Sequence, residues 1–166
     1  MTDAEKLIRH LRLEPLPIEG GYFRQTWSSD DVLSSPRLGS SRPAGSAIYY
    51  LLTSDSDSFS AMHRLATDEI YHFYLGDPVE MLLLADGGSG ERVVLGPDIL
   101  GGQQVQYVAP RYVWQGSRVI PGGGFALMGT TMAPGFDPAD FTLGRRDDLV
   151  RQFPAHADLI RSLTRP

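Results

Sequence analysis

The sequence predicts an all-β domain with short helices at its two ends. Three observations carry that reading. From Ser46 to Met132 the chain is a succession of short runs rich in β-branched and aromatic residues, the composition of pleated strands. Turn residues separate these runs at short, regular intervals, as in a sandwich or barrel. The intervals leave no room for crossover helices, so the strands must pair antiparallel.

Taken in order, Thr2 to Leu13 reads as a helix. Thr2 or Asp3 can cap it, Glu5 sits in the first turn, and Leu7, Ile8 and Leu11 fall on one stripe. Pro15 and Pro17 end it. The Gly20-Gly21 pair allows a bend, and Tyr22 to Trp27 favours a strand. Asp30 to Gly45 is rich in Ser, Pro and Gly and reads as a long loop, either mobile or a lid over a site. The strands that follow are Ser46–Thr53, Phe59–Leu65, Glu69–Leu75, Val79–Ala85, Arg92–Leu95, Gln104–Val108, Tyr112–Gln115 and Phe125–Met132. After Asp137 the tail turns helical again, with short helices at Asp147–Phe153 and Pro154–Leu163 that should cover one end or edge of the sheets. All 166 residues fit one domain: a helix over 1–13, a β body over 19–132 and a helical tail over 137–166.

Composition narrows the function classes. Apolar residues make up 42% and charged residues 21%, as in an ordinary soluble globular protein. The net charge of −5 argues against nucleic acid as a partner, because such proteins show a basic stripe. There is no cysteine, which excludes a disulfide framework, a thiolate nucleophile and a Cys-based zinc site. No apolar run approaches the roughly 20 residues of a membrane helix, and Met-Thr-Asp-Ala-Glu-Lys lacks the apolar core of a signal peptide. The expectation is a cytoplasmic protein with no membrane partner.

Chemistry concentrates between Ser60 and Gly76, which holds two of the four histidines. The stretch reads as two strands joined by a tight turn around Ala66 to Asp68. With an odd-length turn, His63, Leu65, Glu69, Tyr71, Phe73 and Leu75 share one face, and Met62, Arg64, Ile70, His72 and Tyr74 the other. A histidine and a carboxylate then lie a few ångströms apart on an apolar face. They form either a proton-transfer pair or a buried bond that only ties two strands together.

The same stretch resembles the first motif of the cupin superfamily. His63 matches its first histidine, Glu69 its glutamate and Gly76 its glycine, while Leu65 stands where the second histidine would be. In the second motif Pro110 matches, Tyr112 replaces a glycine, and Gln115 replaces the last histidine. Further landmarks are Glu19-Gly20-Gly21-Tyr22-Phe23-Arg24, Ser46 to Leu52, His63-Arg64, Asp68 to Tyr74 and Ala133-Pro134-Gly135-Phe136. By their order and combination the chain is similar to the Cupin_5 (DUF985) family. Two positions depart from its pattern: Leu16 stands where a histidine is expected between the prolines, and Tyr71 where a tryptophan is usual.

The resemblance implies a double-stranded β-helix (an RmlC-like jelly roll), a homodimer, and a small-molecule pocket inside the barrel. It implies a shape shared with sugar-nucleotide epimerases but no reaction. On that frame His63, Glu69 and Tyr71 are the expected catalytic groups. Tyr22, Arg24 and Gln115 are the expected ligand-binding ones, with Arg24 gripping an anionic part of the ligand. A divalent metal on His63, Glu69 and Gln115 is the alternative, although two of the four usual ligands are changed. The expected function is a non-redox enzyme of the epimerase, isomerase, cyclase or lyase type acting on a small polar metabolite. The alternatives are a metal-dependent oxygenase or lyase, and a non-catalytic binding module.

Overall fold

A computed structural model describes residues 1–166. Two antiparallel sheets face each other across the main core. The larger contains β1 (Glu14–Pro15), β2 (Tyr22–Ser28), β5 (Ser46–Thr53), β7 (Glu69–Gly76), β10 (Gln106–Ala109) and β12 (Phe125–Met132), in the order β1-β2-β5-β12-β7-β10. The smaller contains β6 (Ser60–Leu65), β8 (Val79–Leu84), β9 (Gly90–Leu95), β11 (Trp114–Val119) and β13 (Phe141–Leu143), in the order β13-β6-β11-β8-β9. Every strand pair is antiparallel, as the short intervals required.

Each layer of the sequence pattern has a structural cause. Between the sheets lie Tyr50, Leu52, Tyr71, Phe73, Met81, Leu83, Val93, Leu95 and Met128. Helix α1 (Asp3–Leu11) is opened by a capping box between Thr2 and Glu5, and it covers the outer side of the large sheet. There Leu7, Ile8 and Leu11 pack with Leu13 on Leu51 and Leu127. Helices α2 (Arg146–Gln152) and α3 (Ala157–Ser162) cover the outer side of the small sheet, setting Leu149, Phe153, Ile160 and Leu163 against Met62, Leu82 and Leu84. This is why β8 reads Val-Glu-Met-Leu-Leu-Leu without alternation: all six residues are buried, because both faces of the strand are covered.

The structure corrects several sequence readings. Asp30 to Gly45 is not an irregular loop. It forms a hairpin of β3 (Val32–Ser35) and β4 (Ser40–Pro43) around a 3-10 turn at Pro36–Leu38, and buried Arg42 pins it to Asp140. The strand expected to end at Gln115 continues to Val119. Gly116 permits this, since a Cβ there would lie 2.6 Å from the Met62 sulfur. The tail supplies β13, which edges the small sheet against β6, so it is not purely helical.

The most consequential correction concerns β6 and β7. They do not pair with each other: the turn at 66–68 carries the chain from the small sheet to the large one. His63, Leu65, Glu69, Tyr71 and Phe73 still share one interior, but from two facing sheets. Their alternates do not share a face. Met62 lies under the C-terminal helices and Arg64 over Trp114, outside the small sheet. Ile70, His72 and Tyr74 belong to the outer phase of the large one. Leu75 leaves the interior, because a bulge pairs Leu127 with Leu75 and Met128 with Phe73 and so leaves Tyr74 as the extra residue.

Candidate active site

A cavity of about 550 Å³ opens into the barrel. Its apolar wall includes Leu16, Phe23, Ile48, Leu65, Met132 and Phe141, and its polar groups include Glu19, Glu69, Thr130, Arg12 and Arg24. The size and mixed lining suit a small polar molecule.

Glu69, the first residue of β7, presents a buried carboxylate to this space. Its Oε2 accepts from the Tyr71 hydroxyl at 3.1 Å and from Gln115 Nε2 at 2.9 Å. Gln115 reaches it because β11 runs beside β6 with Gln115 opposite His63. His63 is 1% exposed, and its ring stacks on Phe141 at 5.1 Å. Nδ1 lies 2.7 Å from the Ala61 carbonyl oxygen, which makes Nδ1 the proton-bearing nitrogen of that bond. Nε2 is thereby turned to Glu69, 4.0 Å from Oε2.

Sequence reading assigned no role to Glu19, yet its carboxylate is on the cavity wall. It sits on a tight turn in which its own N–H donates to Pro17 O and that of Gly20 to Leu16 O. Gly20 (φ 107°) and Gly21 (φ 71°) complete the bend, and a Cβ at Gly20 would strike Phe59 O at 2.3 Å. Ser60 Oγ donates to Glu19 Oε1 at 2.8 Å. A bulge in β6 sets Ser60 and His63 opposite Ser117 and Gln115 of the same partner strand. The available signal was an acidic residue directly before a Gly-Gly bend, which fixes where a side chain points.

The charges of this cluster are linked. Burial lowers the His63 pKa, but the Glu19 charge, Glu69 and the Ala61 carbonyl outweigh it and raise the pKa to about 9. Burial and the nearby Glu69 charge push the Glu19 carboxyl up, against the opposing pull of His63 and Ser60. Tyr50 and Tyr71 are held well above the phenol range, first by burial and then by the carboxylates. At neutral pH His63 is an imidazolium flanked by two carboxyl groups.

Of the expected site residues, Glu69 and Arg24 border the cavity. His63, Tyr71 and Gln115 gather behind the carboxylates rather than on the wall. Tyr22 is elsewhere: the Gly20-Gly21 bend sets the phase of β2 so that Phe23 points inward, and Tyr22 packs outside beneath α1. Arg24 follows in the same alternation: although it borders the cavity along the chain, its guanidinium lies on the Tyr22 side, 5.4 Å from the Tyr49 ring centre, with a buried Nε that has no partner, so it is not placed to grip a ligand inside the barrel.

A divalent metal, the implied alternative, does not fit the donor set. Glu69 Oε2 is already taken by two protein hydrogen bonds, and Gln115 turns its NH₂ rather than its oxygen to that carboxylate. Leu65 is apolar where a second imidazole would stand, and no three His, Asp or Glu side chains converge as a metal-holding group.

Comparisons agree with this architecture. The family model described as Cupin superfamily (DUF985) matches residues 5–144. A hypothetical protein from Leishmania major is 30% identical, with a TM-score of 0.89 over 99% of this chain and 100% of that one. A protein from Shewanella oneidensis is also 30% identical, with a TM-score of 0.88 over 100% and 99%. A dTDP sugar isomerase from Desulfovibrio desulfuricans shares the fold at 18% identity, with a TM-score of 0.55 over 90% and 91%. No curated protein matches the sequence. No helix is long and apolar enough to cross a membrane. The chain belongs to the Cupin_5 (DUF985) family of the cupin superfamily, and its two facing sheets are that superfamily's double-stranded β-helix.

Proposed function

We propose that this cupin binds a small polar metabolite in its barrel and catalyses a non-redox proton transfer, of the epimerase, isomerase, cyclase or lyase type. The observation that carries the reading is the buried His63–Glu69 pair, closed at 4.0 Å, with Glu69 facing the cavity. An imidazolium beside a carboxylate supplies an acid and a base in one unit. This reading divides the labour by position. Glu69 is the group within reach of a ligand, and His63 behind it holds and returns the proton. Tyr71 and Gln115 fix the carboxylate through their bonds to Oε2. Arg24, expected to grip an anionic part of the ligand, has its guanidinium over Tyr49 on the outer side of the large sheet and takes no part in this reading. The dTDP sugar isomerase supports the reading only so far as its barrel has the same fold.

The test is solvent exchange. The protein is incubated in D₂O with a panel of small hydroxylated carboxylates and sugar phosphates, and products are read by proton NMR and mass spectrometry. The expected result is deuterium at one carbon of one compound, lost in Glu69→Gln and His63→Gln. Unchanged turnover in both variants would overturn the reading. A compound that raises the melting temperature but never exchanges would make the protein a binding module instead.

A further inference from the structure

Glu19 and Glu69 come from distant parts of the chain, a turn before β2 and the start of β7, yet both carboxylates reach the same cavity wall. His63 lies 4.0 Å from Glu69 and is tied to Glu19 through β6, where Ser60 Oγ donates to Glu19 Oε1, Ala61 N–H donates to Glu19 O, and Ala61 O accepts from His63 Nδ1; it does not reach the wall itself. The turn that delivers Glu19 is costly. Ile18 has φ 70°, a left-handed conformation unfavourable for a β-branched residue, and its side chain gains no burial there. The turn is clamped from outside: Arg165 Nη1 donates to Ile18 O at 2.9 Å and Glu19 O at 3.2 Å, and Nη2 donates to Asp57 O at 3.3 Å. The Arg165 guanidinium rests 4.5 Å from the Phe59 ring centre. From inside, Ala61 N–H donates to Glu19 O, and Tyr50 OH donates to Gly20 O at 3.0 Å. A strained turn held by donors on both sides, with its one carboxylate aimed at the cavity, is what a fixed functional group requires.

We propose that Glu19 is a second catalytic carboxylate, facing the ligand beside Glu69 and joined to it through His63, with Arg165 as the positioning residue of its turn. This rests on the proton-transfer reading of the same cavity. It also sharpens the substrate class. Two carboxylates at one end call for hydroxyl or ammonium donors on the ligand. The class is a polyhydroxylated or amino-bearing metabolite. One carboxylate, ionised, accepts a proton from the ligand, the second, protonated, carboxyl returns one to the ligand, and the His63 imidazolium behind them passes the proton from the first to the second. The number of protons in the cluster is the same after turnover as before.

Two measurements test this, one of which needs no ligand. Imidazole ¹⁵N signals of His63 are followed against pH in the wild type and in Glu19→Gln, Glu19→Asp, Arg165→Ala and Arg165→Lys. The titratable groups facing His63 are Glu19 and Glu69, with Tyr50 and Tyr71 beyond them. Glu19→Gln should lower the His63 midpoint by about one unit, Arg165→Ala should lower it by less, and the charge-keeping Asp and Lys variants should restore most of it. A midpoint unmoved in Glu19→Gln overturns the link between the carboxylates. The second measurement is deuterium exchange into the polyhydroxylated members of the same panel. Glu19→Gln should lose exchange roughly 100-fold or more, and Arg165→Ala should lose kcat with KM little changed. If Glu19→Gln exchanges normally while Glu69→Gln does not, the Glu19 proposal falls and the proton-transfer reading stands. If both exchange normally, the whole reading of the cavity falls.

Discussion

Two of the protein's buried ionic clusters are built on opposite terms. At the base of the β3–β4 hairpin, Arg42 meets Asp140 through paired bonds, Nε to Oδ2 at 2.9 Å and Nη2 to Oδ1 at 2.8 Å. Its Nη1 is used as well, by the Ser41 carbonyl and the Ser40 hydroxyl. At the cavity, one imidazole serves two carboxylates, the closest His63–Glu69 approach is 4.0 Å, and Gln115 Oε1 has no partner. The first cluster is geometrically complete and does not line the barrel cavity. The second is incomplete, holds an excess of carboxylate, and opens on a cavity of about 550 Å³. On the proposed reading, complete pairing goes with a charge kept for structure, and incomplete pairing beside a void with one kept for a ligand.

The largest effect expected from this contrast is catalytic. Glu69→Gln should cut deuterium exchange by about 10²–10⁴-fold, the usual worth of a positioned acid or base. Gln retains an acceptor for Tyr71 and Gln115, so the melting temperature should move little. Asp140→Asn should do the reverse. It leaves buried Arg42 with only the more exposed Asp137 carboxylate, 3.8 Å away, and a melting temperature lower by roughly 5–10 °C is expected in calorimetry. Exchange by the folded fraction should stay within a few-fold of wild type. If Asp140→Asn abolished exchange without loss of stability, the two clusters would not be separable as argued.

The same contrast shows what could be read from the chain. Patterns set by one element were legible: the Thr2–Glu5 capping box, the Leu7-Ile8-Leu11 stripe, the unbroken apolar run of β8. The pairing of His63 with Glu69 survived a wrong assumption about its cause, because side-chain phase depends on strand alternation. That phase is the same whether the turn at 66–68 closes a hairpin or crosses to the facing sheet. What escaped depended on local departures from alternation or on distant partners. Bulges reset the phase at Tyr74 and in β6. The Gly20-Gly21 bend turned Tyr22 outward and Glu19 inward, and the Arg42–Asp140 bond spans 98 positions that no local pattern connects.

A smaller effect separates the clusters by pH. The folded His63 titrates near 9, against an ordinary value of 6.5. The folded state therefore holds a proton that the unfolded state has lost between those values. Its contribution is full below about pH 6.5 and disappears as pH rises through 9. The raised Glu19 carboxyl acts in the same direction, starting from its ordinary range near 4.5. Stability measured by urea unfolding should fall between pH 6 and 9.5 by up to about 3 kcal/mol. His63→Gln should flatten most of that slope, and Asp140→Asn should leave it intact. A wild-type slope that survives in His63→Gln would place its origin outside the cavity.

The smallest expected effect is that of metal. A divalent ion at 100 times its dissociation constant would stabilise the folded state by about 2.7 kcal/mol, a shift easily seen in a thermal melt. Manganese, iron(II) or zinc added to protein purified without an affinity tag should produce no such shift. The reason is that Tyr71 and Gln115 occupy Glu69 Oε2 and that Leu65 offers no lone pair where a second imidazole is needed. Leu65 borders the cavity and belongs to the same strand as His63, two residues away on the same side. Leu65→His should therefore gain a metal-dependent rise in melting temperature, and Leu65→His combined with Gln115→His a larger one. If the wild type shifted as much as these variants, the incomplete cluster would be a metal site rather than a proton-handling one, and the difference between the two buried clusters would lie in the ion and not in the pairing.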